Sequence, residues 1–311
     1  MTAQPQIELS VVALAGGVGG ARLIDGLDRA LPPGALTAVV NTGDDFRHWG
    51  LHISPDLDTV MYTLAGLSPE DRGWGIEGDT FHVLAEAKRR GVDEWFQLGD
   101  RDLVTHLSRS GALAEGRSLT GVTAELCRTL GVERPILPMT DATRPTTIVT
   151  QRGEELAFQE WLVKARGAPR VREVRCQGTD QTTQAVLDAL TAADLVVICP
   201  SNPYVSIDPI LTSSGVADAV RRTTTVGVSP IIGGKAVKGP LATMITEIDG
   251  RAPTAEAVAM HYEGLLDGYA VHSGDGFTSP FPILETNILI QSKEDRVVFA
   301  RELIEFSRSL K

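Results

Sequence analysis

Residues 7–20, IELSVVALAGGVGG, decide the fold that the sequence predicts. Residues 7–14 are mostly apolar, which is typical of a strand buried on both faces of a sheet. The glycine-rich run 16–20 follows as a loop, and apolar residues then recur at helical spacing over 21–31. Residues 36–40 form the next short apolar run. A strand, a helix and a second strand within so few residues indicate a right-handed parallel βαβ unit.

The middle of the chain follows a different pattern. Residues 61–176 look largely helical, with Asp79 as a candidate cap for a helix that ends at Arg90. Two short apolar runs predict a hairpin over 146–158, and a third strand at 171–176 can join it. We therefore interpret this block as an insertion in the α/β frame.

Alternating strands and helices resume in the last part of the chain. The expected strands are at 195–199, 225–229, 270–272 and 288–290, and the expected helices at 182–190, 255–266 and 295–310. The sequence thus predicts an α/β fold that is Rossmann-like and doubly wound, with a mainly parallel sheet, a largely helical insertion and a small antiparallel hairpin region. Residues 1–60 and 177–311 would form the nucleotide-binding core, and residues 61–176 the inserted subdomain.

Composition limits the classes of function. The 311 residues are 42% hydrophobic and 22% charged, which is ordinary for a globular protein and argues against disorder. Lys and Arg total 29 against 40 Asp and Glu, and the net charge of −11 disfavours binding to nucleic acid. Three separated cysteines disfavour a disulfide framework. The first residues do not have the pattern of a signal peptide, and no apolar run approaches the roughly 20 residues of a membrane span. We therefore expect a cytoplasmic protein with no membrane partner.

Ligands of open α/β sheets bind beyond the carboxyl ends of the strands, where this chain has four notable loops. The first is the run 16–20, whose glycines let backbone N–H groups approach an anion. Arg22 stands where a dinucleotide fingerprint needs Gly or Ala, and no Gly-Lys-Ser/Thr ending marks a P-loop. A phosphate contact is favoured over a tight turn that only packs the helix on the strand.

The second loop is acidic and comprises residues 41–45 (NTGDD). Its paired carboxylates suit a hard cation such as Mg²⁺ or a ribose hydroxyl, whereas an isolated pair would more often cap a helix or face solvent. A second acidic cluster at 55–59 (PDLDT) follows downstream and favours the first interpretation. One of its aspartates can cap the helix while the other faces the cleft.

The other two loops offer hydrogen-bonding groups and positive charge. Residues 200–203 (PSNP) suit nucleotide or sugar recognition, and a strand-ending turn explains them equally well. A glycine-rich loop holds Lys235 and Lys238, which are candidate phosphate partners or exposed turn residues. Aromatic residues beside polar ones at 95–102 and 158–161 suit stacking on a flat ring, although core packing is the commoner role.

Together these segments resemble one family, the CofD/FbiA transferases of deazaflavin coenzyme F-420 biosynthesis. The matching pieces occur in order over most of the chain up to about residue 275, and they are specific jointly rather than singly. They are GGVGGAR at 16–22, VVNTGDD at 39–45, PDLDT at 55–59, RGWG at 72–75, LGDRDL at 98–103 with Thr105 and His106, FQEW at 158–161, PSNP at 200–203 and SPII at 229–232.

The resemblance implies a reaction. A guanosine-diphosphate-linked three-carbon acid, lactyl or enolpyruvyl diphosphoguanosine, donates its phospho-acid part to the terminal ribityl hydroxyl of the deazaflavin Fo, and GMP leaves. FQEW at 158–161 is nearer the bacterial branch of the family, which favours the enolpyruvyl donor. The resemblance also implies Mg²⁺ as cofactor, these two small molecules as partners, and a homodimer. Such a transfer needs mainly alignment and charge neutralisation.

The resemblance implies roles for single residues. Asp44 and Asp58 are the expected catalytic residues, and Asp44, Asp45 and Asp58 the expected Mg²⁺ ligands. The expected nucleotide-binding residues are Gly16, Gly17, Val18, Gly19, Gly20, Asn41, Gly43, Ser201, Asn202, Pro203 and Lys235. The expected Fo-binding residues are Asp58, Thr59, Trp95, Gln97, Asp100, Arg101 and Trp161.

Two other classes stay open on the sequence alone. YvcK-like proteins share the glycine loop and the Ser-Asn-Pro loop, but they bind a nucleotide sugar and act as regulators. This chain lacks the glycine-serine run that usually follows their acidic loop, and it has PDLDT at 55–59. The second class is a nicotinamide oxidoreductase, against which Arg22 argues.

Overall fold

One sheet built around the first strand organises the protein. The computed structural model describes residues 9–310, so the start of the strand predicted at 7–14 lies outside the described residues. In chain order the strands are β1 (Val11–Ala15), β2 (Leu36–Val40), β3 (Phe46–His48), β4 (Leu51–Ile53), β5 (Ile136–Pro138), β6 (Thr146–Thr150), β7 (Glu155–Ala157), β8 (Val171–Cys176), β9 (Leu195–Ile198), β10 (Thr225–Val228), β11 (Ile231–Ile232), β12 (Lys235–Ala236), β13 (Gly268–His272) and β14 (Ile283–Thr286).

Seven strands form the core sheet in the order β14-β13-β10-β9-β1-β2-β5. Every neighbouring pair in it is parallel. The predicted α/β fold with a mainly parallel, doubly wound sheet is therefore confirmed. The chain runs from β1 outward through β2 to β5, then returns to β9 on the other side of β1 and continues to β14. This reversal creates a topological switch point between β1 and β9, where open α/β sheets bind their ligands.

Helices cover both faces of this sheet. Alternate residues of β1 point to opposite faces: Val11 and Ala13 join the core beneath one set of helices, whereas Val12 and Leu14 join the core beneath the other. Burial on both faces explains why the strand is apolar throughout. In chain order the helices are α1 (Gly17–Ala30), α2 (Pro55–Leu64), α3 (His82–Arg89), α4 (Asp102–Ala114), α5 (Leu119–Thr129), α6 (Gln184–Ala192), α7 (Asp208–Leu211), α8 (Val216–Arg221), α9 (Leu241–Met244), α10 (Ala255–His261) and α11 (Lys293–Arg308).

The segment 61–176 contributes more than helices. α3, α4 and α5 lie in it, as does the antiparallel sheet β7-β6-β8, which contains the predicted hairpin and its third strand. β5 lies in the same segment, yet it pairs with β2 at the edge of the core sheet. A second hairpin, β3–β4, lies just before α2. Within residues 9–310, no helix combines the length and the hydropathy needed to cross a membrane.

Three predicted element boundaries are wrong, the simplest being the helix expected over 255–266, which ends at His261. The helix expected over 21–31 begins at Gly17, because the glycine run forms the first turn of α1 rather than a loop. The last strand is β14 rather than 288–290, since β14 pairs in parallel with β13. Just after β14, the side-chain oxygen of Asn287 accepts a hydrogen bond from the backbone N–H of Leu289 at 3.0 Å. This local turn replaces strand pairing in the segment that was expected to be a strand.

The expected capping role of Asp79 is wrong, because Asp100 caps the helix that was assigned to it. α3 begins at His82, and the backbone N–H groups of His82 and Val83 each donate to the Asp100 carboxylate at 3.0 Å. Asp79, the expected cap of this helix, accepts two backbone N–H groups at the start of α4 instead, at 2.8 and 3.0 Å. Each carboxylate thus satisfies the free N–H groups of the helix that is distant from it in sequence.

Gly26 tests the contact between α1 and α11. A methyl group at this position would collide with the backbone oxygen of Arg296 in α11. We expect Gly26→Ala to lower the free energy of unfolding by roughly 1–3 kcal/mol, because the two helices must separate to accommodate the added atom. Urea denaturation measures the effect. In the control, Gly111→Ala, nothing lies within 4 Å of the added atom, so stability should stay constant or rise by up to about 1 kcal/mol. Equal effects of the two substitutions would contradict this account.

Candidate active site

A cavity of about 970 Å³ opens at the switch point, beyond the carboxyl ends of β1 and β9. Its walls come from both parts of the chain. The lining residues of the core include Gly16, Gly17, Val18, Gly19, Pro200, Ser201 and Asn202. Those of the 61–176 segment include Phe96, Gln97, Phe158 and Gln159. Asp44 from the acidic loop and Lys238 from the glycine-rich loop also line the cavity, so all four loops that the sequence singled out meet at one edge of the sheet.

The glycine run allows the 200–203 loop to approach α1 closely. The backbone N–H of Gly16 donates to the Ser201 hydroxyl oxygen at 3.1 Å, and that hydroxyl donates to the Gly16 carbonyl oxygen at 2.8 Å. A side chain at Gly19 would collide with the carbonyl oxygen of Pro200, and one at Gly20 would collide with β1 and Ser201. Gly20 therefore serves the packing of α1, whereas the earlier glycines face the cavity.

Three aspartates, Asp44, Asp56 and Asp58, line one wall of the cavity. The buried Asn41 lies behind two of them: its side-chain amide donates to Asp44 Oδ1 at 3.3 Å and to Asp56 Oδ2 at 2.9 Å. The other oxygen of Asp56 accepts the backbone N–H of Gly17 at 2.7 Å. Asp56 thus joins the acidic wall to the first turn of α1, and neutral donors hold two carboxylates close together.

Burial makes the ionised forms of these carboxylates unfavourable. It raises the pKa of Asp44 well above its usual range, and the Asp56 and Asp45 carboxylates raise that pKa further, against the amide hydrogen bond that Gln159 donates to Asp44 at 2.8 Å. Burial also raises the pKa of Asp56 to about 6, although hydrogen bonds to the carboxylate oppose the shift. Carboxylates arranged in this way favour a cation or a proton as a ligand.

Asp45, an expected metal ligand, lies behind the wall and does not line the cavity. One of its oxygens contacts His52 Nε2 at 3.0 Å and accepts the Ser54 hydroxyl at 2.8 Å. Burial raises the pKa of Asp45, against the opposing effect of His52. The structure places this carboxylate as a support for the β3–β4 hairpin rather than in the cavity wall.

Asp58 differs from its neighbours because it has a cationic partner. The Arg109 guanidinium of α4 donates to both of its oxygens, with a distance of 3.0 Å from Nη1 to Oδ2. Although burial lowers the pKa of Arg109, the Asp58 carboxylate keeps it above the usual value. His106 lies between two acids, with Nδ1 3.7 Å from Asp58 and Nε2 3.2 Å from Asp102. The Tyr62 hydroxyl donates to Asp102 at 2.7 Å.

Several expected nucleotide-binding residues lie outside the cavity wall. Asn41 and Gly43 are buried beneath it, and Pro203 begins a π-helical turn, Pro203–Ile207, behind the loop. Lys235 is exposed on the β11–β12 hairpin. Lys238, the other lysine of this loop, lines the cavity and donates to the backbone oxygen of residue 72 at 2.5 Å.

The expected Fo-binding residues divide in the same way. Asp58, Thr59 and Gln97 line the cavity. Trp95 does not line the cavity, but the adjacent Phe96 does. The ring centroids of Trp95 and Phe96 are 5.6 Å apart. The aromatic segment is therefore at the cavity, with a different ring facing it.

Three further residues of that set have structural contacts elsewhere. Asp100 caps α3, as described above, and the Arg101 guanidinium donates to the backbone oxygen of Glu77 at 3.0 Å. Trp161 is buried, and its indole N–H donates to the backbone oxygen of Pro169 at 2.8 Å. None of the three lines the cavity among the residues that the structure describes.

Of the polar side chains that meet between α2 and α4, the sequence assigned a role at the site to Asp58 but not to Tyr62, Asp102, His106 or Arg109. Asp58 and Tyr62 are four residues apart on α2, and Asp102, His106 and Arg109 follow at intervals of four and three on α4. Both spacings place side chains on one helix face. These spacings could be read from the sequence. Local spacing does not specify how α4 packs, however, so it does not show that the two helix faces contact each other.

The fold and the cavity define an α/β ligand-binding protein whose site combines glycine backbone, buried carboxylates and aromatic rings. These groups suit a substrate that carries phosphate groups together with a flat ring system. A family model described as 2-phospho-L-lactate transferase CofD matches residues 11–276. The chain belongs to the CofD family.

Curated relatives of the chain are named phosphoenolpyruvate transferase. The protein from Thermobifida fusca (strain YX) is 43% identical over 285 residues, which cover 87% of this chain and 88% of the relative. The protein from Mycobacterium sp. (strain KMS) is 42% identical over 295 residues, covering 86% and 89%. The protein from Streptomyces coelicolor is 42% identical over 276 residues, covering 86% of each chain.

Solved structures support the fold. A crystal structure of the Bacillus halodurans protein BH3568 covers 93% of this chain and 90% of its own, with a TM-score of 0.57 and 18% identity. A second crystal structure, of the same Bacillus halodurans protein as a member of the UPF0052 family, has a TM-score of 0.58 at 18% identity and covers 94% and 90%. At this identity the likeness concerns the fold alone.

The raised pKa of Asp56 predicts how stability changes with pH. Since the folded pKa of about 6 exceeds the unfolded value of about 3.9, protonation favours the folded state, and this contribution is lost as pH rises through 6. In buffer with EDTA, the Asp56 contribution should be on the order of 1.4 kcal/mol smaller at pH 8 than at pH 5. Urea denaturation of the wild type and of Asp56→Asn measures it together with the linked change at Asp44, whose pKa the Asp56 carboxylate raises. An equal pH dependence in both proteins would contradict the assignment.

The two lysines of the 229–240 loop provide a matched pair for testing the cavity wall. Lys238 lines the cavity and Lys235 does not. We expect Lys238→Met to weaken binding of GDP by about tenfold, the effect of losing one charge-assisted contact, and Lys235→Met to leave it unchanged. Isothermal titration calorimetry gives both dissociation constants. A larger effect at Lys235 would instead support the assignment made from the sequence.

Proposed function

We propose that this protein is a transferase that moves a phosphoenolpyruvyl or phospho-lactyl group from a diphosphoguanosine donor to the terminal ribityl hydroxyl of the deazaflavin Fo, with release of GMP. The observation that carries the proposal is the match to the CofD family over residues 11–276. The cavity is consistent with it, because glycine backbone, carboxylates and aromatic rings line the same space. The relatives named phosphoenolpyruvate transferase favour the enolpyruvyl donor.

The donor occupies the side of the cavity formed by the core sheet. The first turn of α1, at Gly16 to Gly19, and the polar side chains of Ser201 and Asn202 face this side. Backbone N–H groups and a helix N-terminus are suited to the oxygens of a diphosphate. Lys238 supplies positive charge from the opposite loop.

The acceptor occupies the side formed by the 61–176 segment. Phe96 and Phe158 offer apolar ring faces to a flat deazaflavin, and Gln97 and Gln159 offer amide groups to its edge. Thr59 lies near the acidic wall, where the ribityl chain would end. We propose that this segment is the Fo-binding subdomain and that residues 1–60 and 177–311 bind the nucleotide.

The acidic wall fits Mg²⁺ as an ion that carboxylates and the donor phosphates would hold together, because among residues 9–310 no group of three or more His, Cys, Asp or Glu side chains is arranged to hold a metal ion by itself. Asp44, Asp56 and Asp58 present carboxylate oxygens, the ligand type that this ion prefers. The pKa values of Asp44 and Asp56 are raised by burial, and that of Asp44 also by its neighbours' negative charge, and a bound cation would offset both effects. When bound, Mg²⁺ would neutralise charge on the donor diphosphate. Asp45 would support the site through the β3–β4 hairpin.

In the reaction, the terminal hydroxyl oxygen of Fo bonds to the phosphorus that carries the three-carbon acid. The bond from that phosphorus to the bridging oxygen breaks, GMP leaves with the bridging oxygen, and the proton of the attacking hydroxyl is released to solvent. The protein contributes by holding the two substrates in line and by orienting the hydroxyl with Asp58. We also propose that the enzyme is a homodimer, as the family resemblance implies, and that it acts in the cytoplasm, a location that its three separated cysteines favour.

The acidic wall yields a direct test of this function. Asp44→Asn should lower turnover at least 100-fold, since a group that aligns or neutralises the transferring phosphate is weakened. Fo binding, followed by deazaflavin fluorescence, should change less than about twofold, because the amide hydrogen bond that Gln159 donates to Asp44 at 2.8 Å can still be accepted by the asparagine oxygen. Turnover is measured as GMP release from enolpyruvyl diphosphoguanosine in the presence of Fo and Mg²⁺. The control is Asp218→Asn, an exposed aspartate on α8.

Binding measurements on the wild-type protein separate the proposed function from its alternative. A wild-type protein that binds neither Fo nor the diphosphoguanosine donor, but binds UDP-N-acetylglucosamine, would contradict the transferase assignment and support a nucleotide-sugar-binding regulator. Normal turnover of Asp44→Asn would leave the function intact and remove Asp44 from the catalytic residues.

A further inference from the structure

The ion pair between Asp58 and Arg109 joins the two parts of the chain at the cavity. Asp58 lies on α2 and lines the cavity, whereas Arg109 lies on α4 and is not among the lining residues. Both side chains are nearly inaccessible, at 7% and 1% exposure. The guanidinium therefore contacts the carboxylate from the protein interior and leaves the cavity side of Asp58 open.

The contact is bidentate. Arg109 donates from Nη1 and Nη2 to the two oxygens of Asp58. A planar guanidinium that contacts both oxygens fixes the plane of the carboxylate, which a single hydrogen bond does not do. Nη1 of Arg109 is also 3.4 Å from His106 Nδ1, so a second side chain of α4 helps to hold the guanidinium.

The other two carboxylates of the wall are held differently. Asp44 accepts hydrogen bonds from Gln159 and Asn41, and Asp56 accepts them from Asn41 and the Gly17 backbone. These donors are neutral, and within residues 9–310 neither carboxylate forms an ion pair. Asp58 is thus the lining aspartate whose orientation is set by a buried cation.

Stability alone does not account for this arrangement. Removing two charges from water is unfavourable, and well-packed apolar residues of similar size are often at least as stabilising as a buried ion pair. The pair is also located where one of its members faces a substrate cavity. These two facts together point to a role in orienting a group at the site.

We propose that Arg109 is a positioning residue that holds the Asp58 carboxylate in the orientation needed by the acceptor hydroxyl. This inference rests on the proposed transferase function. Because α4 belongs to the 61–176 segment, the arginine also couples the location of the acceptor-binding segment to the carboxylate on the core helix. Fo binding itself does not require Arg109, which does not line the cavity.

The test is the substitution Arg109→Lys, which keeps the charge and removes the planar fork. We expect kcat to fall about 10- to 100-fold, since small displacements of a positioning group have effects of this size. The KM values for Fo and the donor, and the Kd for Fo by fluorescence, should stay within about twofold. In Arg109→Ala, added guanidinium ion should restore part of the lost kcat.

The control for a general stability effect is Arg134→Lys. Arg134 forms a partly buried ion pair with Asp28 and does not line the cavity. We expect wild-type kcat in this variant, and the folded fraction of all variants is measured by circular dichroism in the assay buffer.

Different results overturn different conclusions. Wild-type kcat in Arg109→Lys, or a kcat that falls only in proportion to the folded fraction, would overturn the positioning role while the transferase function stands. A parallel rise in the KM for Fo without loss of kcat would also overturn it, because Arg109 would then act in binding. Absence of turnover by the wild-type protein would overturn both the function and the inference.

Discussion

The site depends on two hydrogen bonds between Gly16 and Ser201, which hold the loops after β1 and β9 together. These residues are 185 positions apart in sequence, and they follow the two strands on either side of the switch point. Their contact brings the first turn of α1 against the loop after β9. It requires glycine, because a side chain at Gly16 would collide with Asp56 and Ser206, and one at Gly19 with Pro200. The cavity is therefore a consequence of how closely two backbone segments approach each other.

The acidic wall is supported from the same place. Asp56 accepts the N–H of Gly17, so the first turns of α1 and α2 are joined directly. A helix N-terminus favours a negative charge, which helps to keep this buried carboxylate in the wall. Burial, followed by repulsion from Asp56, raises the pKa of Asp44. The wall is thus better suited to binding a ligand than to stabilising the empty protein.

The sequence was sufficient for the fold because the main signals are local. The apolar β1 and the glycine run after it predicted a buried parallel strand and an anion-binding turn. The parallel topology places the loops that follow these strands at one edge of the core sheet. β5 was missed, because Pro135 and Pro138 made a short core strand look like an interrupted region. Prolines are tolerated there because β5 is the edge strand of the sheet.

The site was less predictable because it depends on contacts between distant segments. Asp79 and Asp100 exchange caps between two helices, and no local spacing distinguishes this arrangement from each aspartate capping the helix nearest to it. Local sequence does not distinguish Arg109 from other helical arginines, because its contact with Asp58 depends on the packing of α4 beside α2. Residue type indicated which side chains could carry chemistry, whereas tertiary packing decided which of them reach the cavity.

The charge of the cavity wall affects how the site binds phosphate groups. Among the described residues, Arg22 and Lys238 are the Arg and Lys side chains of the wall, and each donates to a backbone oxygen of the 69–75 segment. The pKa of Arg22 is lowered by burial and by Arg296, and that of Lys238 by burial and by Arg22. Against them the wall presents the carboxyl groups of Asp44, Asp56, Asp58, Glu70, Asp71 and Asp102. Arg109 offsets Asp58 and Arg296 offsets Glu70, but among the described residues the other four carboxyl groups have no Arg or Lys partner. A diphosphate would therefore meet more acidic than basic groups in this cavity. On the proposed function, we propose that a divalent cation accompanies the donor when it binds, because it would offset this excess of acidic groups.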